Sequence, residues 1–140
     1  SYSRAGNLLQ QGRLLNQLGR PQEALRAADD AKSITAQNFG AKGWLPLLVD
    51  LARAEAMLAL GRKPEAAALL DKVTPGLRGH GPRSVENGIL FMVEAKFAKA
   101  GGRSAGAAAL LDSADAVFRS LGPGGSGYLA DVARMRADAR

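Results

Sequence analysis

The single imidazole of the chain, His80, lies in a glycine-rich stretch between Arg78 and Arg83. Backbone N–H groups in such a stretch can cradle a phosphate, and an imidazole there can act as an acid or a pH switch. Catalysis would need a fixed carboxylate or nucleophile beside His80, and the pattern places none there. We therefore favour the interpretation that residues 78–83 form an exposed, charged turn.

Two pairs of carboxylates have the residue type that metal binding or acid–base chemistry requires: Asp29 with Asp30, and Asp112 with Asp115. Neither has calcium-loop spacing, and both lie near Lys or Arg, so we interpret them as solvated helix faces. Residues 122–127 resemble a phosphate loop only superficially, because no Lys-Ser or Lys-Thr pair follows them. They are expected to form a flexible connector. With no cysteine in the chain, we predict no metal site, no cofactor and no catalytic residue.

A charged pair interrupts the most apolar stretch, residues 44–60. Asp50 and Arg53 are three residues apart, which brings them together on one helix surface. If this helix is central, the pair is expected to be partly buried, and removing one partner would cost about 3 kcal/mol or more. Trp44 begins the helix. Packing of its ring between helices is the favoured interpretation, and an exposed anchor for a partner is the alternative.

The composition indicates one all-α domain. The chain has 140 residues, of which 46% are hydrophobic but only 5% aromatic, and Ala and Leu, the best helix formers, dominate the apolar part. No apolar run is long enough to span a membrane. Because the chain starts at Ser1 without a signal-peptide pattern, we expect a cytoplasmic fragment of a larger protein.

The 19 Lys and Arg against 13 Asp and Glu give a net charge of +6. These basic residues fall largely at turns and ends, not in one stripe with interleaved aromatics. The sequence therefore disfavours a nucleic-acid partner, but stacked helices could still gather turn residues along one edge. Contact with a polyanion stays open as an alternative.

An internal repeat is the strongest signal. The segment from Leu18 to Ala24 matches the segment from Leu60 to Ala66 and, more loosely, residues 101–107. The last residues of the three segments, Ala24, Ala66 and Ala107, are 42 and 41 positions apart. Each copy reads as a helix, a glycine turn and a second helix. Helices are predicted at about 4–18, 21–38, 45–60, 64–77, 84–100, 103–121 and 128–139, with glycine-rich connections at 39–43, 75–82 and 122–127.

The pattern resembles the tetratricopeptide repeat family. The resemblance rests on three sets of positions: the small residue of the first helix (Gly12, Ala54, Ala95), the turn glycine (Gly19, Gly61, Gly102) and the alanine five residues later (Ala24, Ala66, Ala107). It is closest to the longer repeats of kinesin light chains and of bacterial regulators and kinases. The resemblance implies an α-α superhelix of three hairpins, at about 4–43, 44–83 and 84–122, with a C-terminal capping helix.

In this family the first helix of each copy lines a concave groove. Aligned by the turn glycine, the groove positions of this chain would be Leu9, Arg13, Asn16, Leu51, Glu55, Met92, Lys96 and Lys99, with Leu48 and Ile89 at the edge. Charge alternates along three equivalent positions, Arg13, Glu55 and Lys96. One interpretation is an exposed ladder of ion pairs between copies. The other makes Arg13, Lys96 and Lys99 donors to acidic groups of a bound peptide, with Leu9, Leu51 and Met92 as apolar pockets.

We therefore expect a non-catalytic module that binds a protein or peptide, serving as a regulatory or scaffolding arm. The family's carboxylate clamp is absent, because Leu9 and Arg13 stand where its Lys and Asn would be. Partners with mixed apolar and charged anchors are favoured. The Ala, Gly and Arg usage resembles that of GC-rich bacteria. Self-association through exposed repeat ends is the alternative from a different class.

Overall fold

The computed structural model describes residues 2–39 and 43–138, apart from the side chains of residues 2, 38 and 39. All regular structure in these ranges is helical, so the predicted all-α class is confirmed. The α-helices are α1 (Tyr2–Gln17), α2 (Pro21–Phe39), α3 (Trp44–Ala59), α4 (Lys63–Gly79), α5 (Val85–Ala100), α6 (Ser104–Ser120) and α7 (Ser126–Asp138). A short 3-10 helix (Gly122–Gly125) precedes α7.

The described helix ends lie within two residues of the predicted ones. Residues 40–42 of the predicted connection 39–43, and residue 139 of the predicted seventh helix, lie outside the described residues. Two predicted connections are largely wrong. Helix α4 continues through Pro75 as far as Gly79, and residues 122–127 form the 3-10 helix and the first turn of α7 instead of a flexible connector.

Three turns share one backbone geometry. The turn glycines Gly19, Gly61 and Gly102 have φ values of +71°, +81° and +76°, a left-handed conformation that side chains disfavour. The N–H after each glycine donates to the carbonyl five residues earlier: Arg20 to Leu15 at 2.9 Å, Arg62 to Met57 at 2.9 Å and Arg103 to Ala98 at 2.8 Å. The repeat seen in the sequence is thus also a repeat of helix, left-handed glycine and helix in the backbone.

The chain divides near residue 76 into two compact units. In the first unit α2 packs against both α1 and α3, and α1 also contacts α3. Small residues allow the helices to approach closely: a Cβ on Gly12 would lie 3.3 Å from the carbonyl oxygen of Ala24. Ala24 itself is fully buried. The small residue and the alanine after the turn therefore mark the contact between the two helices of a hairpin.

In the second unit α6 packs against α5 and α7. Phe118 of α6 is fully buried, and its ring stacks on Tyr128 of α7 with the ring centres 4.8 Å apart. The same ring lies over Gly88 of α5, where a Cβ would be 2.5 Å from the ring carbon Cε1. One aromatic side chain thereby joins all three helices. The single-domain interpretation and the repeat boundaries stay predictions.

Candidate interaction surfaces

Asp50 of α3 is the centre of a group of charges that we call the Asp50 cluster; its side chain is only 6% exposed. Nη1 of Arg53 donates to Oδ1 at 2.9 Å, and Nζ of Lys32, on α2, donates to the same oxygen at 2.7 Å. Nζ of Lys72, on α4, lies 3.4 Å from Oδ2. Nε of Arg53 also donates to Oδ1 of Asp29 at 2.7 Å. The predicted partly buried pairing of Asp50 with Arg53 is confirmed.

The electrostatics of the Asp50 cluster favour its charged state. Burial would raise the pKa of Asp50, but hydrogen bonds from Lys32 and Arg53 outweigh it and hold the pKa below its ordinary value of 3.8. Burial likewise opposes the charge of Arg53, and bonds to Asp29 and Asp50 raise its pKa. Asp50 therefore stays ionised near neutral pH. The cluster links α2, α3 and α4 as a structural element and is not poised for acid–base chemistry.

Two predicted groove residues meet in the first unit. Nδ2 of Asn16, on α1, donates to Oε1 of Glu55 at 2.9 Å and lies 3.4 Å from the carbonyl oxygen of Ala52. Oδ1 of Asn16 is buried and has no hydrogen-bond partner among the described residues. Arg13 is half-buried, and its Nη1 lies 3.5 Å from Oε1 of Gln10. Asn16 and Glu55, two polar members of the predicted groove, thus join α1 to α3.

An equivalent link occurs in the second unit. Lys99, near the end of α5, donates from Nζ to the carbonyl oxygen of Asp138 at 2.8 Å. Asn16 and Lys99 occupy equivalent positions of the first and third copies, and each contacts a residue 39 positions further along the chain. Fully buried Val132 of α7 corresponds to Val49 of α3, which is also fully buried. In these contacts α7 is related to α5 as α3 is related to α1.

A pocket of about 100 Å³ opens between α5, α6 and α7 in the second unit. Its apolar lining comes from Ala95, Ala107, Leu111 and Met135. Lys96, Lys99 and Asp138 supply its charged groups. We call this the Lys96 pocket. The structure therefore brings Lys96 and Lys99, two of the predicted donors, to one small concave site with an apolar wall.

An arginine follows each turn glycine, and these three residues, which we call the turn arginines, differ in their partners: Arg20, Arg62 and Arg103. Arg20 donates to Glu23 at 2.5 Å, and Arg62 donates to Glu65 at 2.7 Å. The third copy has Gly106 where the first two have glutamates, so Arg103 has no carboxylate at this spacing. Its guanidinium lies beside Gly101, immediately after α5. Two of the three turn charges are thus neutralised within their own turn, and the third, close in sequence to Lys99, is not.

The apolar members of the predicted groove are in the core. Leu9, Leu51 and Met92 are each 6% exposed or less, and the edge residues Leu48 and Ile89 are 6% and 5% exposed. Side chains this buried have little surface to offer a partner, so they do not form the open pockets that the sequence predicted. Glu55 and Lys96 are half-buried, and Lys99 is exposed. Of the predicted groove residues, the polar ones are therefore more accessible to a partner than the apolar ones.

Exposed apolar side chains were not identified from the sequence. Leu14 of α1 is 54% exposed, and Leu18, in the turn after α1, is 60% exposed. Trp44 is 43% exposed. Its ring is therefore less buried than the favoured interpretation, packing between helices, predicted. No sequence signal separates these residues from core ones, because their type and spacing are those of core residues.

The residues around His80 have internal partners. Arg78 donates to Oε1 of Glu94 at 2.5 Å and lies 4.4 Å above the ring of Phe91. Nε2 of His80 lies 3.8 Å from Oε2 of Glu86. Arg78 is thus engaged in helix packing and is not held open for a phosphate. Within the described residues, no group of three or more acidic, His or Cys side chains could hold a metal ion.

Comparison of the chain with protein-family models, with curated proteins and with solved structures gives no significant match. Within the described residues, no helix is both long and apolar enough to cross a membrane.

Proposed function

We propose that this chain is a non-catalytic, tetratricopeptide-like array of helical hairpins that binds a protein or peptide. The observation that carries the proposal is the turn geometry repeated in three copies, with a left-handed glycine and the same hydrogen bond across the turn. Hairpins joined in this way tend to stack at a constant offset, which curls the array and creates an extended binding surface. A cytoplasmic role as a regulatory or scaffolding arm belongs to the same proposal.

The charged residues near the ends of the first helices support a peptide partner with acidic groups. Lys96 and Lys99 border a concave pocket with an apolar wall, and mixed apolar and charged anchors are the usual basis of peptide recognition. The polyanion alternative gains less support, because Arg20 and Arg62 are paired with glutamates inside their turns. A diffuse basic edge would need these charges to be available.

Selection from a phage-displayed random peptide library against the immobilised chain tests the proposal. Recovered peptides are expected to share a short motif that contains an acidic residue, and each synthetic peptide should bind the chain in solution with one-to-one stoichiometry. A library that yields no motif and no binding peptide, while a DNA oligonucleotide binds with a steep salt dependence, would contradict it.

Self-association is a second candidate, favoured by the exposure of Leu14, on α1, and of Leu18, four residues later in the turn after α1. An exposed apolar pair of this kind can be covered by a second copy. Light scattering over a concentration series measures the mass directly. Self-association predicts that the mass rises with concentration and that a variant with L14S and L18S stays monomeric. A wild-type mass that stays monomeric at every concentration removes this candidate.

A further inference from the structure

The outward face of α7 corresponds to a surface that is covered in the three copies of the repeat. Lys99 contacts Asp138 of α7 as Asn16 contacts Glu55 of α3, so α7 takes the position of a first helix in a further copy. By this alignment one α7 residue stands at the small-residue position, and two others stand one and two helical turns before it. All three are exposed alanines: Ala137, Ala133 and Ala130. The equivalent residues of α1, α3 and α5 are all buried or half-buried.

The second helix of the same hairpin covers this surface in the first two copies. At the small-residue position, a Cβ on Gly12 would lie 3.3 Å from the carbonyl oxygen of Ala24 on α2. One turn before the small residue of α3, Oδ2 of Asp50 lies 3.4 Å from Nζ of Lys72 on α4. In both copies the covering element is thus the helix that follows the turn glycine. The helix that would cover α7 in the same way is not among the described residues.

The second helices also show which side chains fit such a surface. In the third copy Phe118 of α6 lies over Gly88, where a Cβ would be 2.5 Å from its ring, and Gly88 is the α5 residue equivalent to Ala130. Each second helix has a buried alanine near its start and a fully buried larger residue eleven positions later: Ala24 with Thr35, Ala66 with Leu77, and Ala107 with Phe118. Because the start of each second helix meets the end of the first, a helix that covers α7 in this way runs antiparallel to it. Its small residue lies at Ala137 and its large one at Ala130.

Charge does not select the occupant of this surface. Arg134, beside the three alanines, donates to Asp131 of the same helix, and Arg136 donates to Asp112 of α6 at 2.6 Å. The surface itself consists of alanine methyl groups. A second helix approaches them closely only if its own facing residue is small, because the side chains at the contact set the distance between the helix axes. A helix that merely caps an array has a polar outer face, and α7 is not polar at these three positions.

A second copy of the chain does not offer a matching helix. The alanines that would face Ala137 are buried in their own hairpins, since Ala24 and Ala66 are 0% exposed and Ala107 is 3% exposed. Freeing them would require a hairpin to open and to expose its core. The matching occupant is therefore a helix from another protein.

We propose that Ala130, Ala133 and Ala137 of α7 dock an amphipathic helix of a partner protein in the position of a second helix. The partner helix runs antiparallel to α7, with Ala or Gly against Ala137 and, eleven residues later, Leu or Phe against Ala130. Burial of these apolar side chains provides the affinity, as in other complexes in which a helix docks by its apolar face. The surface shares no residue with the predicted groove or the Lys96 pocket, so this inference goes beyond the proposed function.

Fluorescence anisotropy with the full chain tests the docking surface. The probe is a fluorescein-labelled peptide with blocked ends and the sequence of residues 103–121, which contains the second helix of the third copy and balances two arginines with two aspartates. It is expected to bind with one-to-one stoichiometry. Probes with A107L or F118A lose the small or the large contact residue, and each should bind at least about tenfold more weakly. A parent probe that does not bind, or that binds no better than the altered probes, overturns the proposal.

Variants of the chain locate the bound probe. A130E and A137E each place a charge and a longer side chain on the docking surface, and each should weaken binding at least about tenfold. A36E, at an exposed alanine near the end of α2, makes the same change elsewhere and should leave the affinity unchanged. Circular dichroism checks the helix content, and A130Q replaces A130E if the latter loses helix. If A36E weakens binding as much as A130E does, or if neither changes it, the probe does not bind at α7 and the proposal is overturned.

The outcomes also separate this inference from the proposed function. Peptides selected from the library should bind A130E as tightly as they bind the wild type, because Ala130 belongs neither to the predicted groove nor to the Lys96 pocket. If these peptides bind the chain and the helix probe does not, the docking surface is wrong and peptide binding stands. If the mass in light scattering rises with concentration and A130E keeps the chain monomeric, a second copy covers the surface and the partner helix is overturned.

Discussion

At the level of single residues, Asp50 is the clearest example of a charge that the fold must satisfy. Its carboxylate is almost fully buried and is contacted by cations from α2, from α3 itself and from α4. Asp50 with Arg53 could be predicted from their spacing on one helix. Lys32 and Lys72 could not, because their proximity depends on how three helices pack, and nothing in their local sequence distinguishes them from solvated lysines.

Replacing Asp50 by Asn is expected to lower the free energy of unfolding by about 3 kcal/mol, because Lys32 and Arg53 lose a charged acceptor in a buried setting. Urea denaturation followed by circular dichroism measures the change. The matched control is D71N on α4, at an exposed aspartate, which should stay within about 0.5 kcal/mol of the wild type. Equal effects of the two variants would contradict the structural role of the Asp50 cluster.

The pH dependence of stability follows from the direction of the Asp50 pKa. Because the pKa in the folded chain lies below the ordinary value of 3.8, the unfolded chain takes up the proton first. The contribution of Asp50 is therefore complete well above its ordinary pKa of 3.8 and is lost as the pH falls through the folded pKa. We expect the difference in urea midpoint between wild type and D50N to be constant from neutral pH to about 5 and to shrink below it. A difference that grows on acidification would contradict a lowered pKa of Asp50 in the folded chain.

At the level of helices, sequence periodicity located every described α-helix to within two residues, because glycine turns and apolar spacing are local signals. It did not locate which apolar residues are buried. Leu9 is in the core and Leu14 is exposed, although both are leucines of α1. Burial depends on which helix covers each face, and that is a property of packing that a single helix sequence does not contain.

The contact between α5 and α6 depends on the absence of a side chain at Gly88. A Cβ there would lie 2.5 Å from the Phe118 ring, which is fully buried and stacked on Tyr128 and so has little freedom to move. G88A should destabilise the chain by about 1 to 3 kcal/mol. G106A on α6, where a Cβ meets only an ordinary contact at 3.7 Å, should be neutral or stabilising. Thermal unfolding of both variants measures these effects. An unchanged melting temperature for G88A would contradict the close approach of the Phe118 ring to Gly88.

The end of α7 is held by Lys99, which donates to the carbonyl oxygen of Asp138 in the last turn of the helix. A cation at this position also interacts favourably with the helix dipole. K99M should therefore loosen α7 by about 0.5 to 1 kcal/mol. Amide hydrogen exchange of the last turns of α7 should be a few times faster, with exchange in α1 and α2 unchanged. Unaltered exchange in α7 would show that the bond does not stabilise the helix.

At the level of the whole molecule, the net charge of +6 does not by itself specify a partner. Several arginines are paired inside their own helices or turns, as Arg20, Arg62 and Arg119 are. What remains distinctive is local, namely the Lys96 pocket, its apolar wall and the turn arginine that lacks a glutamate. The sequence predicted Lys96 and Lys99 as donors, but the pocket itself required the approach of α7, which the repeat pattern did not fix.

The central claim is that the chain binds a peptide through defined residues near the ends of its first helices. An NMR titration of the isotope-labelled chain with a library-selected peptide measures this residue by residue. We expect saturable shifts of the Lys96, Lys99, Ala107 and Met135 amides, with no shift of the amide of Lys63, the first residue of α4. Shifts that are absent at these positions, or that follow chain concentration without peptide and centre on Leu14 and Leu18, would contradict the claim.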